Sequence, residues 1–182
     1  MDVGRVVNEV QQEPPADEAA CHGPGGVRPA PNDLPGNPQL DLSLAGGTDL
    51  PSVRTFYESV GYGGGLDPAD RILVGRRDDA IIAAVRLRRE MNTLVLRGMY
   101  VAAPLRGQGV GRALLDGVSV EIGGSCCWCL PFSRLENFYA RIGFGIPEGG
   151  EIPEFLVARK DRYEAAGHDV VIMVRPARTS PQ

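Results

Sequence analysis

The chain has 182 residues, of which 43% are hydrophobic, so it is long enough for one domain with its own core. The formal net charge is −4, and the sequence lacks the basic face with interleaved aromatic residues that is typical of nucleic-acid binding, so we expect no nucleic-acid partner. No apolar run approaches the roughly 20 residues of a membrane helix, and the first residues lack an apolar signal core, which predicts a cytosolic protein without a membrane partner.

Composition divides the chain into three parts. Residues 1–37 are rich in proline, glycine and acidic residues and show no helix or strand periodicity, which predicts a disordered acidic tail. Regular patterning begins at Pro38, so we expect one domain over residues 38–176. Residues 177–182 are expected to form a short C-terminal tail.

The first half of the domain is predicted to form a strand, a helix and a meander. Alternating apolar residues indicate a strand at 39–44, and Pro51 is typical of the first turn of a helix that ends near residue 60. Short turns separate the next three strands, which favours antiparallel pairing. These three strands are predicted at 71–75, 80–88 and 93–101.

The second half is predicted to alternate helices and strands. A helix with one apolar face begins near Gly109 and ends at Gly123. The later elements are a strand at 126–130, a helix from Ser133 to Gly143, a strand at 144–146, a helix over 153–166 and a strand at 170–174. A meander followed by a strand–helix–strand unit indicates a three-layer α/β/α fold with a mixed, mostly antiparallel central sheet.

Three of the four cysteines fall within residues 126–129. Cys126 and Cys129 have the C-x-x-C spacing, but a zinc site needs a second pair of ligands, and the two histidines, His22 and His168, are far apart in the sequence. We therefore expect no metal, and we interpret the three cysteines as small buried residues of a strand.

The segment Arg106-Gly107-Gln108-Gly109-Val110-Gly111 lies between a predicted strand and a predicted helix. Backbone N–H groups at a helix start are unpaired and partly positive, and glycine lets an anion approach them closely. With Arg106 and Arg112 adding charge, the segment predicts a phosphate or pyrophosphate site. Arg112 occupies the position where both the dinucleotide fingerprint and the P-loop need glycine, so neither motif fits.

Two stretches resemble the GCN5-related N-acetyltransferase (GNAT) superfamily. The first, residues 96–115, contains an R-x-x-G-x-G motif at positions 106–111, and the second, residues 135–144, ends in a Tyr-x-x-x-Gly-Phe pattern. They lie about thirty residues apart with a strand between them, as in the family. The resemblance covers about residues 38–175 and leaves the acidic tail unexplained.

The resemblance implies an acetyl-CoA site and no metal. In the family the strand before the loop splays from the next strand, and the pantetheine arm lies in the gap beside a bulge, which Gly98 could mark. Phe132 stands where many relatives carry an asparagine that contacts the cofactor. The residues implied to bind acetyl-CoA are Met99, Tyr100, Val101, Arg106, Gly107, Gln108, Gly109, Val110, Gly111, Arg112 and Asn137.

Tyr139 matches the family's tyrosine near the CoA sulfur, where a phenol can protonate the departing thiolate, although a core tyrosine would fit the same pattern. The general base is less evident, because residues 93–97 contain no acid where some relatives carry a glutamate. Glu90, Glu58 and Tyr100 are candidates. A relay through water, with catalysis resting on the positioning of the two reactants, is an equal alternative.

The resemblance implies an acyl-CoA-dependent N-acyltransferase, with acetyl as the expected group and an amine of a small molecule or peptide as the acceptor, acting as a monomer or homodimer. The alternative is a non-catalytic acyl-CoA sensor on the same fold, since the strand glutamate is missing. A nicotinamide oxidoreductase is disfavoured because the dinucleotide fingerprint does not fit.

The acceptor pocket is implied at residues 48–66, 90–92 and 146–153, with a mobile wall at Gly61 to Gly65. Four arginines could attract an anionic acceptor or lie on a solvated face: Arg86, Arg88, Arg89 and Arg97.

Overall fold

The computed structural model describes residues 40–178, which form a six-stranded sheet in the order β1-β2-β3-β4-β5-β6. The predicted tail at 1–37 lies outside the described residues, as does the C-terminal tail from residue 179 onward. Every neighbouring pair is antiparallel except β4 and β5, which are parallel, so the predicted mixed, mostly antiparallel sheet is confirmed. The strands are β1 Asp41–Leu44, β2 Arg71–Arg77, β3 Ala80–Glu90, β4 Thr93–Val101, β5 Cys127–Cys129 and β6 Met173–Arg175.

Four α-helices cover the two faces of the sheet: α1 Leu50–Ser59, α2 Val110–Ile122, α3 Glu136–Ala140 and α4 Glu154–Ala165. Short 3-10 turns precede α1, α2 and α3. Leu114 of α2 and Tyr139 of α3 belong to one buried cluster, whereas Val53 of α1 and Leu156 of α4 belong to clusters on the opposite face. The predicted three-layer α/β/α fold is therefore confirmed.

Helix α2 lies close to the sheet because its inward face combines large apolar side chains with a glycine. A Cβ atom at Gly117 would lie 2.9 Å from Leu73 Cδ2 and 3.2 Å from Leu42 Cδ1, so a larger residue would force these two leucine side chains to shift. Burial of the apolar face is the main stabilisation of such a helix. The position of α2 fixes where its first turn points.

The expected bulge at Gly98 is confirmed. Arg86 pairs with Arg97 and Ala84 pairs with Tyr100, so one β3 residue opposes two residues of β4. Gly98 has a φ of +55°, which favours glycine. The extra residue shifts the alternation of β4: Leu96 and Val101, five residues apart, both join the core on the α2 face.

Two strand predictions near the C-terminal half are wrong. Residues 144–146 form no strand, and Gly145 makes only an isolated bridge to Val174, because Gly143 and Pro147 leave too few residues for a ladder. The last strand starts at Met173 rather than at residue 170, where Val170 forms a separate bridge to Phe132.

The cysteine prediction is correct for two of the three residues. Cys127 and Cys129 are buried, and burial raises the pKa of the Cys127 thiol to about 12. Cys126 is exposed, because β5 begins only at Cys127, after the turn that follows α2. Among residues 40–178 no group of three or more potential metal ligands comes together. In the same range no helix has the length and apolar character needed to cross a membrane.

Candidate active site

A gap opens where β4 and β5 separate. The two strands pair only at Val95 with Trp128 and at Leu96 with Cys129, and the bulge at Gly98 follows directly. Beyond Leu96 the edge of β4 therefore has no strand partner on its β5 side. The gap contains a cleft of about 100 Å³. It is lined by Val95, Leu96, Arg97, Gly98, Met99, Tyr100, Cys129, Leu130, Pro131, Phe132, Leu135, Tyr139, Arg159 and Tyr163.

The cleft connects the two faces of the sheet. Leu96 and Tyr139 line it from the α2 and α3 face, and they belong to the core cluster on that side. Tyr100 lines it from the α1 face, and Arg159 of α4 lines it from the same side. Two molecules could thus meet in the cleft from opposite faces of the sheet.

The loop before α2 presents an open set of backbone amides. Gly107 and Gly109 have φ values of +75° and +80°, and Gly109 caps the helix without a side-chain hydrogen bond. Ala113 N is the first amide of the helix to donate, to Gly109 O at 3.0 Å. Across residues 40–178, no carbonyl accepts a backbone hydrogen bond from the amides of residues 107–112. The geometry is that of a helix-start anion site.

Two polar side chains of this loop brace it from within. Arg106 Nε donates to Val101 O at 3.2 Å, and Gln108 Nε2 donates to Pro104 O at 2.9 Å. Val110 and Gly111 are buried against the domain, whereas Arg112 is exposed. Arg106 and Gln108 therefore shape the loop with their side chains, and the Gln108 amide makes no backbone hydrogen bond within the described residues.

Tyr139 is buried and lines the cleft, and its hydroxyl donates to Met99 Sδ at 3.6 Å. Burial raises the pKa of this phenol well above its ordinary value, with the neighbouring Cys129 and Tyr100 adding to the effect. The phenol thus stays protonated at physiological pH. Asn137, on the same helix, is exposed and does not line the cleft.

None of the three candidate bases is placed as a free proton acceptor in the cleft. Glu90 lies 2.8 Å from Arg97 Nη1 and 2.5 Å from Arg159 Nη2. Burial alone would raise the pKa of Glu90, but the two guanidinium groups outweigh it and lower the pKa. Glu58 is exposed on α1, and Tyr100 packs in an aromatic cluster. The residues that line the cleft include no aspartate, glutamate or histidine.

Arg86, expected on a solvated sheet face, is fully buried, so that interpretation is wrong for this residue. Its Nε and Nη2 donate to Asp70 Oδ2 at 3.0 and 2.6 Å, and its Nη1 donates to the Tyr62 hydroxyl at 2.7 Å. The Asp70 side chain is also fully buried. Sequence reasoning missed this pair because Asp70 lies in a loop, outside any periodic pattern.

The same arginine holds the glycine-rich loop that follows α1. Arg86 Nη2 donates to Gly65 O at 2.9 Å, and Tyr62 N donates to Tyr57 O at 2.8 Å. The Tyr57 hydroxyl donates to Gly98 O at 2.8 Å, at the bulge itself. These bonds tie the loop to β3 and to α1, and they tie α1 to β4. The mobility expected of Gly61 to Gly65 stays a prediction.

The sequence matches a known domain family over a region that includes the loop before α2 and most of the residues that line the cleft. Residues 68–146 match the acetyltransferase (GNAT) domain, from β2 to the end of the Tyr139 helix and the turn beyond it. No curated protein matches the sequence significantly.

Solved structures share the fold at low sequence identity. The ribosomal-protein-S18-alanine N-acetyltransferase from Escherichia coli gives a TM-score of 0.57 at 16% identity over 79% of this chain and 97% of that chain. The N-acetylglutamate synthase from Neisseria gonorrhoeae, complexed with coenzyme A and N-acetyl-glutamate, gives 0.55 at 19% identity over 78% of this chain. The matched region is 36% of that synthase, so the chain spans about a third of its length. Residues 68–146 therefore match an acetyltransferase (GNAT) domain, and the described residues share the fold of solved N-acetyltransferases.

Proposed function

We propose that the chain transfers an acetyl group from acetyl-CoA to the amine of a small molecule or peptide by direct attack. The observation that carries this proposal is the combination of open amides before α2 with a cleft through the sheet that a protonated tyrosine lines. The domain responsible would span residues 38–176. Incubation with acetyl-CoA and a panel of amines, followed by mass spectrometry of the products, tests the proposal directly.

The donor would bind on the α2 and α3 face. The amides of residues 107–112 offer several donors to a pyrophosphate, and the positive end of α2 adds a favourable field. Met99 and Tyr100 border the gap, and the main chain of Met99 to Val101 would offer partners to an amide-bearing pantetheine arm. Exposed Arg112 would add charge at the rim, and Asn137 would contact the outer part of the cofactor.

Acetyl-CoA supplies the acetyl group as a thioester, and the chain's own residues position the reaction. The cleft would bring the amine to the thioester carbonyl from the opposite face, which is the positioning effect that intramolecular reactions show. As the amine nitrogen forms the new amide bond it would lose a proton to water, while the carbon–sulfur bond breaks and the thiolate departs. The Tyr139 hydroxyl, now held by Met99 Sδ, would donate its proton or a hydrogen bond to that sulfur.

Replacing Tyr139 by phenylalanine should lower kcat by on the order of 100-fold, the lower range of general-acid contributions. The ring stays in its apolar surroundings, so the affinity for acetyl-CoA should change little. Thiol release in steady state measures the first quantity, and calorimetric titration measures the second. An unchanged kcat would remove Tyr139 from the reaction.

The pH dependence should follow the acceptor, because no carboxylate or imidazole lines the cleft to take the proton. We expect kcat/KM to rise with pH and to level off near the pKa of the acceptor amine, since only the neutral amine attacks. The raised pKa of Tyr139 means that this phenol causes no decline below about pH 10. Two acceptors with different amine pKa values should give different midpoints. A shared midpoint would instead indicate a protein base.

The same lack of an acid in the cleft favours one alternative, a non-catalytic acyl-CoA sensor. A sensor would bind acetyl-CoA and release no thiol with any amine, and the Tyr139→Phe variant would behave like the natural chain. Turnover with any amine of the panel excludes it.

A further inference from the structure

The acceptor side of the cleft carries a cluster of two arginines around one glutamate. Glu90 is the last residue of β3, Arg97 belongs to β4 and Arg159 to α4. Glu90 accepts from Arg97 Nη1 through Oε1 and from Arg159 Nη2 through Oε2. Both arginines line the cleft, whereas Glu90 does not.

The cluster lies on the face of the sheet opposite the proposed CoA site. Arg97 is two residues from Val95, which packs against Leu156 of α4, so both residues point to the α4 face. Arg159 reaches the cluster from α4 itself. An anion bound there would therefore approach from the side proposed for the acceptor and away from the loop before α2.

Arg159 has donors left for a ligand. The only hydrogen bond that its side chain makes within residues 40–178 uses Nη2, so Nε and Nη1 donate to no described residue. The Arg159 guanidinium lies 5.6 Å from the centre of the Phe155 ring, which limits its orientations. The Arg159 side chain is only 13% exposed. A guanidinium that is largely buried, restricted in orientation and left with unused donors suits a carboxylate, with which it forms charge-assisted hydrogen bonds.

We infer that the acceptor is a small amine that carries a carboxylate, such as an amino acid, and that Arg159 binds that carboxylate. This inference rests on the proposed acetyl transfer. The Glu90 carboxylate holds Arg159 in place. The positive charge of Arg97 beside that carboxylate helps to keep it ionised. The cleft of about 100 Å³ is where the amine of this acceptor would meet the thioester.

The test compares an amino acid with its own amide as acceptor, with kcat/KM corrected for the fraction of neutral amine at the assay pH. The natural chain should prefer the carboxylate by about 10- to 100-fold, the range that a charged hydrogen bond provides. Arg159→Gln should remove that preference by lowering kcat/KM for the amino acid and leaving the amide unchanged, and Arg159→Lys should restore part of it. If the substitution only disturbed the structure, kcat/KM would fall equally for the amino acid and for its amide.

Arg162→Gln is the matched control, since Arg162 is exposed on the same helix and makes no ion pair in the described range. It should keep the full preference. If acetyl-CoA raises the melting temperature of Arg159→Gln as in the natural chain while amide and amino acid react equally in both proteins, the inference is overturned and the acetyl-transfer proposal stands. If no amine is acetylated and acetyl-CoA does not bind, the proposed function itself fails.

Discussion

Replacing Gly109 by glutamate should abolish the binding of acetyl-CoA, with a loss of affinity of more than about 100-fold. The new carboxylate would stand beside the amides proposed for the pyrophosphate, and two like charges in contact cost several kcal/mol. No protein atom lies within 4 Å of a Cβ placed at Gly109, so the substitution breaks no packing. The backbone strain at a φ of +80° should lower the free energy of unfolding by only about 1–2 kcal/mol.

Thermal melting with and without acetyl-CoA separates the two effects. Saturating ligand raises the free energy of unfolding by about 2.7 kcal/mol at 100 times its Kd, so the natural chain should show a clear rise in Tm and the variant none. Gly167→Glu is the control, because Gly167 has a φ of +85°, open space around it and a position after α4, away from the loop. It should carry the same strain and keep the acetyl-CoA shift. An undiminished shift in Gly109→Glu would place the ligand elsewhere.

Replacing Arg86 by alanine should lower the free energy of unfolding by about 3–5 kcal/mol, the range for a buried ion pair that loses one partner. The change would leave the Asp70 carboxylate buried and unpaired by Arg86, and it would remove a donor from the Tyr62 hydroxyl and from Gly65 O. Asp70 Oδ1 already has no hydrogen-bond partner, and Arg88 Nε lies 3.8 Å from it. Urea denaturation followed by circular dichroism measures the difference, which corresponds to a Tm shift on the order of 10 °C.

Arg89→Ala provides the matched control on the same strand, since Arg89 is exposed and should change stability by no more than about 0.5 kcal/mol. The double variant Arg86→Ala with Asp70→Ala should recover part of the loss, because it removes the unpaired charge as well. Equal stability of the Arg86→Ala and Arg89→Ala variants would show that the buried pair does not stabilise the fold.

The sheet and the long helices were predictable because their patterns extend over many residues. The meander of β2 to β4 repeats an alternation of period two between short turns, and α2 keeps one apolar face over three turns. The short elements were not predictable, because a stretch of only three residues, such as that between Gly143 and Pro147, is as compatible with a packed turn as with a strand. Gly98 is an exception, since a single glycine inside a strand already indicates a bulge.

The site was predictable to the extent that it is local in sequence. The loop at 106–111 and the Tyr139 helix are contiguous motifs, and the structure brings the helix to the cleft that β4 and β5 form. Contacts across the sheet were not predictable. Arg86 and Arg88 occupy equivalent positions in the alternating pattern of β3. Arg86 nevertheless forms a fully buried ion pair with Asp70, whereas Arg88 pairs with Asp67 near the surface. The Glu90 contact with Arg159 joins residues 69 positions apart, which no pattern in the sequence marks.

Titration of the isotope-labelled chain with acetyl-CoA, followed by the amide resonances in NMR, tests most directly whether the loop before α2 binds the donor. We expect the largest shifts at the amides of residues 107–112, with smaller shifts at Met99 to Val101 and at the Tyr139 helix. Saturable binding that leaves the amides of residues 107–112 unshifted would contradict it.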